Sequence, residues 1–97
     1  MDKKYYLYIL SNYLRTVLYI GVTSNLCKRV WEHRQKLVSG FTKQYHLYNL
    51  LYYEIFIDPI SAIEREKQLK KWNRRKKNAL ILEMNPALVD LYSTICL

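Results

Sequence analysis

Glycine and proline are scarce in this chain, with two of each in 97 residues. That scarcity excludes a flexible linker and leaves little room for long structureless loops, so residues 1–97 are read as one domain. Cysteine is equally sparse. Cys27 and Cys96 stand as two isolated thiols with no Cys-x-x-Cys pair and no His/Cys ligand spacing. Such thiols exclude structural zinc and suit a reduced, cytoplasmic protein. No apolar run is long enough to cross a bilayer, and Met1-Asp2-Lys3-Lys4 leads into no signal-peptide core, so no membrane partner is expected. Acidic residues are in the minority, 8 against 16 Lys and Arg, which leaves a formal charge of +8.

What remains is apolar and basic. Apolar residues make up 51% of the chain, too many for intrinsic disorder. The positive charge implies an anionic partner, nucleic acid or an acidic surface. Half of it lies between positions 65 and 77, and further basic residues gather near Arg29. A solvated helix face explains the first run as well as a binding face does. The second group favours binding.

Hydrophobic patterning gives the elements. Aromatic and branched residues over 5–10 and 16–22 form two strands, with a turn beginning at Ser11-Asn12. Centring that turn between Tyr13 and Leu14 pairs residues whose numbers sum to 27, which sets Tyr8 directly opposite Tyr19. Gly21, inside the second strand, marks close approach by a ligand or another element. Thr23, Ser24 and Asn25 are cap candidates for a helix to about residue 38, closed by Ser39-Gly40. Its buried face carries Leu26, Val30, His33 and Leu37, with Arg29 at the edge. A third strand over 50–57 stops at Asp58-Pro59 and either joins a sheet edge or inserts between other elements. A long helix then runs over 60–82 with a bend near Asn73, and Pro86 starts a short terminal helix through Tyr92. The fold class is α/β in the α+β sense: a small, largely antiparallel three-stranded sheet with flanking helices, in the order β-β-α-β-α-α.

Chemistry is expected at a few positions. At 100° per residue, Ala62, Glu66 and Leu69 share a narrow arc, which directs a carboxylate toward an apolar face. Such a group needs a proton, a cationic partner or a metal. A salt bridge at the core margin is the structural alternative to a metal ligand. Arg29 and His33 are neighbours one turn apart, suited to holding a phosphate and to positioning or transferring a proton. Ten tyrosines are explained mostly by strand propensity and packing. Tyr19 stands out beside Gly21, with Tyr8 facing it.

Tyr6-Leu7-Tyr8, then Tyr19-Ile20-Gly21, then Arg29, His33 and Glu66 together resemble the GIY-YIG nuclease superfamily. The likeness covers about residues 4–82 and is nearest to small standalone members related to the amino-terminal nuclease domain of the bacterial repair excinuclease. Tyr6 stands where the family name has Gly. The resemblance implies a metal-dependent DNA endonuclease that hydrolyses phosphodiesters, with selectivity for DNA shape, ends or branches. It implies one divalent cation, Mg2+ or Mn2+, on Glu66, water activation at Tyr19 beside Tyr8, phosphate contact by Arg29, and an accessory role for His33. Lys70, Lys71, Arg74, Arg75, Lys76 and Lys77 are then expected on backbone phosphates. With no separate DNA-binding domain, a protein partner is expected to supply specificity. The alternative is a nucleic-acid-binding module that keeps the fold, cuts weakly or not at all, and acts in a complex.

Overall fold

Leu7, Tyr8, Ile9, Leu10 and Ser11 are all buried, five successive residues whose side chains alternate between opposite faces. A strand covered on both faces belongs in the middle of a layered domain. The computed structural model, which describes residues 3–37 and 44–96, places it there. β1 (Tyr5–Ser11) runs antiparallel to β2 (Leu18–Thr23) on one side and to β3 (Asn49–Phe56) on the other, so the third strand takes the free edge of the hairpin's first strand. α1 (Leu26–Arg34) lies between β2 and β3 in sequence. α2 (Pro59–Lys70), α3 (Arg74–Met84) and α4 (Tyr92–Ile95) follow the sheet. Among the described residues, no helix is long and apolar enough to cross a membrane.

Each sheet face has its own core. Leu7, Ile9, Ile20, Leu51 and Tyr52 pack with Leu69 of α2 and Ile81 of α3. Tyr8, Leu10 and Leu50 pack with Leu26 and Val30 of α1 and with Leu47. β3 serves both through a bulge: Ile9 pairs with Tyr52 but Leu10 pairs with Leu50, which leaves Leu51 as the extra residue.

The hairpin register differs from the expected one by two residues. Tyr8 faces Gly21 and Leu10 faces Tyr19. The turn is longer because Asn12 organises it, its Oδ1 accepting from the backbone N–H groups of Thr16 at 2.9 Å and Val17 at 3.0 Å. A two-residue shift preserves the face of every side chain. Tyr8 and Tyr19 therefore remain on one face, as diagonal rather than direct neighbours.

The helices are shorter than their apolar patterns suggest. α1 ends at Arg34 and Lys36 turns into the left-handed region with φ 59°, so Leu37 is 64% exposed instead of continuing the buried face. The expected Ser39-Gly40 closure lies outside the described residues. At Asn73 the long helix breaks rather than bends. Asn73 caps a new helix, its side chain accepting from the Lys76 N–H at 2.9 Å. Pro86 begins no helix. Asn85 instead ends α3 and accepts from the Val89 N–H at 3.1 Å, while its amide donates to the Leu51 carbonyl at 3.1 Å. The terminal helix begins only at Tyr92, where Asp90 accepts from its N–H at 3.1 Å.

Cys27 and Cys96 are not isolated. A disulfide with a Cα–Cα distance of 5.5 Å joins the first turn of α1 to the residue after α4. Their sequence separation of 69 carried no sign of this contact.

Candidate functional site

Two caps and one missing side chain assemble the centre of the site. Asn25 opens α1 by accepting from the Lys28 N–H at 3.2 Å, and Leu26 and Val30 seat the helix on the Tyr8 face of the sheet. His33, one turn beyond Arg29, is then buried over the hairpin, its Nε2 3.0 Å from the Tyr8 hydroxyl. The Tyr19 ring completes a triangle, with centroids 6.2 Å from Tyr8 and 5.5 Å from His33. The Tyr8 ring occupies the space above Gly21. A Cβ there would come within 2.5 Å of the Tyr8 hydroxyl oxygen. The close approach expected at Gly21 is therefore made by Tyr8.

Glu66 arrives from the opposite side. Asp58 caps α2, accepting from the Ser61 N–H at 2.8 Å, and those hydrogen bonds hold its carboxyl below the usual range. Ala62 and Leu69 are fully buried, which leaves Glu66 half-buried at the margin as the arc predicts. Its Oε2 lies 3.3 Å from Lys70 Nζ, one turn on. The neighbouring Arg65 is held on the other flank by Glu54 of β3, at 3.0 Å from its Nε.

Electrostatics tie the five residues together. Burial raises the Tyr8 phenol well above its ordinary value, the charges of Tyr19 and Glu66 raise it further, and Arg29 opposes them. Tyr8 is therefore a neutral hydrogen-bonding group across the physiological range. Burial and then Arg29 lower the His33 ring to about 4, against a weaker opposing pull from Glu32, so it is neutral at pH 7. Arg29 also pairs with Glu32 through Nε at 3.4 Å, with 42% of its side chain exposed. It borders a shallow depression that includes Thr23, Asn25 and Lys28. Lys28 carried no separate signal in the sequence beyond its place beside Arg29.

The helix break divides the basic run between two elements. Lys70 is paired with Glu66, whereas Lys71 and Arg75 are exposed. Lys76 lies over the Trp72 ring, 4.6 Å from its centroid, and Lys77 is half-buried. Arg74 is committed to the protein: it donates to the carbonyls of Arg15 and Thr16 and to the Asn78 side chain. That engagement depends on the position of the hairpin turn, which the charge pattern does not reveal.

Glu66 is the residue that could hold a metal beside Tyr8, and it would do so as a lone carboxylate. Among the described residues, no group of three or more His, Cys, Asp or Glu side chains could hold an ion together. A single hard oxygen donor suits Mg2+, which keeps several waters and takes substrate phosphate oxygens as ligands. It does not suit an ion that requires a complete protein cage.

Comparison with known proteins agrees with the fold. The model of the GIY-YIG catalytic domain matches residues 4–78. A UPF0213 protein of Bacillus pumilus is 34% identical over 67 residues, covering 69% of this chain and 68% of its own length. A UPF0213 protein of Staphylococcus saprophyticus is 34% identical over 83 residues, covering 86% of this chain and 99% of its own. The solution structure of the UPF0213 protein BH0048 from Bacillus halodurans has the same fold, with a TM-score of 0.57 at 23% identity over 97% of this chain and 96% of that one.

Proposed function

The chain belongs to the GIY-YIG catalytic domain family, and from that premise we propose that it binds DNA and carries a phosphodiester-hydrolysing site at Tyr8, Tyr19, Arg29, His33 and Glu66. One observation carries the reading: the Tyr8 and Tyr19 rings and the buried His33 imidazole pack together on one face of the hairpin, with the charges of Arg29 and Glu66 close enough to act on the Tyr8 phenol. In this proposal Arg29 balances charge on the non-bridging phosphate oxygens. Tyr19 orients and deprotonates the attacking water. In that step Tyr19 takes the water proton while its own phenolic proton passes by way of Tyr8 to the neutral His33 ring, whose Nε2 lies 3.0 Å from the Tyr8 hydroxyl. Glu66 would hold Mg2+ or Mn2+, and the ion would neutralise charge on the phosphoryl and leaving oxygens. Exposed Lys71 and Arg75, with Lys76 and Lys77, contact the phosphate backbone without reading bases. The likeness to the amino-terminal domain of the repair excinuclease, a role in DNA repair and a specificity-supplying protein partner belong to the same proposal, whereas the Cys27–Cys96 disulfide removes the reduced thiols on which the expected cytoplasmic location rests.

The second reading is a nucleic-acid-binding module that cuts poorly. The Lys70–Glu66 pair favours it, because a cation already balances the carboxylate that would hold the metal. Binding is more directly supported than cleavage by the described geometry. The deciding experiment incubates wild type, Glu66→Ala and Tyr19→Phe with single-stranded, nicked, flap and branched DNA, with and without Mg2+ or Mn2+. Metal-dependent cutting lost in both variants supports hydrolysis. Undiminished cutting by Glu66→Ala overturns the metal role. Salt-sensitive binding by an inactive wild type selects the second reading.

A further inference from the structure

The tip of the β1–β2 hairpin exposes two large apolar side chains, Tyr13 at 83% and Leu14 at 71%. Exposed apolar residues are common, but these sit on an unusually well-braced turn. The Arg15 N–H donates to the Asn12 carbonyl at 3.0 Å, with Arg15 in the left-handed region at φ 57°. Asn12 holds Thr16 and Val17 through its side chain. From α3, the Arg74 guanidinium grips the carbonyls of Arg15 and Thr16. A tip fixed from both sides loses little freedom when it meets a partner.

The surroundings identify the chemistry of that partner. Residues 12–16 and 71–78 contain Arg15, Lys71, Arg74, Arg75, Lys76 and Lys77, and no acidic residue. An aromatic and an aliphatic side chain beside Arg15, joined through Arg74 to the basic first turn of α3, suit nucleic acid whose bases are open to insertion. The tip also belongs to the strand pair that carries the site: Tyr13 is six residues from Tyr19, roughly 20 Å at full extension.

We propose that Tyr13 and Leu14 form a wedge that enters a break in base stacking at a DNA fork, flap or nick. The proposal rests on the DNA-directed reading above and assigns its substrate class. The cut then falls within about six nucleotides of the discontinuity, given about 3.4 Å per step.

The test compares wild type, Tyr13→Ala/Leu14→Ala and, as a control at exposed positions elsewhere, Ile57→Ala/Ile60→Ala. Binding is measured on a fork and on a perfect duplex, with 2-aminopurine placed at the fork junction. The wedge variant is expected to weaken fork binding about tenfold, leave duplex binding and its salt dependence unchanged, and abolish the rise in 2-aminopurine fluorescence. The control should behave as wild type. Equal loss on fork and duplex, or no loss on either, overturns the proposal. So does a tip variant that loses binding to anionic phospholipid vesicles while retaining fork binding. If wild type binds neither DNA, the DNA-directed reading falls with the wedge. If Glu66→Ala and Tyr19→Phe lose cleavage but the tip variant keeps fork preference, only the wedge is refuted.

Discussion

Replacing Gly21 by Ala tests how the centre of the site is packed. The added Cβ would lie 2.5 Å from the Tyr8 hydroxyl oxygen and 2.6 Å from Cζ, contacts that folded proteins do not tolerate. Tyr8 is only 2% exposed, so its ring cannot swing into solvent without opening the core. Overpacking of this kind costs about 1–3 kcal/mol. Displacing the ring also breaks the buried contact with His33, a further loss of about 1–3 kcal/mol. Relief of glycine's backbone entropy in a strand returns about 0.5–1 kcal/mol. The expected net loss is thus centred near 3 kcal/mol, a large part of the stability of a domain this size. Urea unfolding followed by circular dichroism should show a lower midpoint with an unchanged slope. In a Tyr8→Ala background the same substitution should be neutral or slightly stabilising, since nothing then occupies the space. Gly21→Ala within about 0.5 kcal/mol of wild type would refute the packing argument. So would an equal penalty in the two backgrounds.

Other perturbations follow from neighbouring contacts. His33 is depressed from 6.5 to about 4, so the folded state binds fewer protons between those values. Its contribution to stability should be complete above about pH 6.5 and decline as pH falls toward 4; His33→Gln should flatten that part of the urea-midpoint profile, and an unaltered profile would contradict the assignment. Reducing the Cys27–Cys96 bond releases a loop with a sequence separation of 69, worth up to about 4 kcal/mol by chain entropy. Dithiothreitol should lower the unfolding midpoint of wild type but not of Cys27→Ser/Cys96→Ser, and identical midpoints with and without it would show that the bond constrains little. Lys70 is 53% exposed, so Lys70→Ala should change stability by no more than about 1 kcal/mol while tightening Mn2+ binding at Glu66; titration calorimetry showing weaker Mn2+ binding would place Lys70 outside competition for that carboxylate.

Features governed by local periodicity were legible before the fold was known. Alternation along the two strands puts Tyr8 and Tyr19 on one face whichever even-numbered shift the turn adopts. The turn itself was misplaced because the Asn12 side chain extends it, and strand pattern does not register that contact. Ala62, Glu66 and Leu69 follow from helical spacing alone. Leu37 fits the same spacing but lies beyond a helix end made by Lys36, a residue with no composition signal for left-handed backbone. Asn73 was recognised as an interruption, yet a bend and a fresh cap share one sequence signature. The Cys27–Cys96 bond, the Tyr8 ring above Gly21 and the Arg74 brace all need tertiary geometry. The first joins chain segments far apart, and the others require the hairpin register.

The break at Asn73 has an electrostatic consequence for the protein at rest. It places Arg74, Arg75, Lys76 and Lys77 in the opening turn of a helix that has no acidic residue there. That end already carries positive dipole, and each cation beside it is disfavoured by about 0.3–1 kcal/mol at low ionic strength. The start of α3 is therefore electrostatically frustrated, with the Asn73 cap and the Arg74 contacts to the hairpin turn opposing the repulsion. Salt should relax it, raising the thermal midpoint before any ligand is added. A polyanion laid along that turn would relieve the same tension more completely, so complex formation there would repair the helix as well as neutralise it.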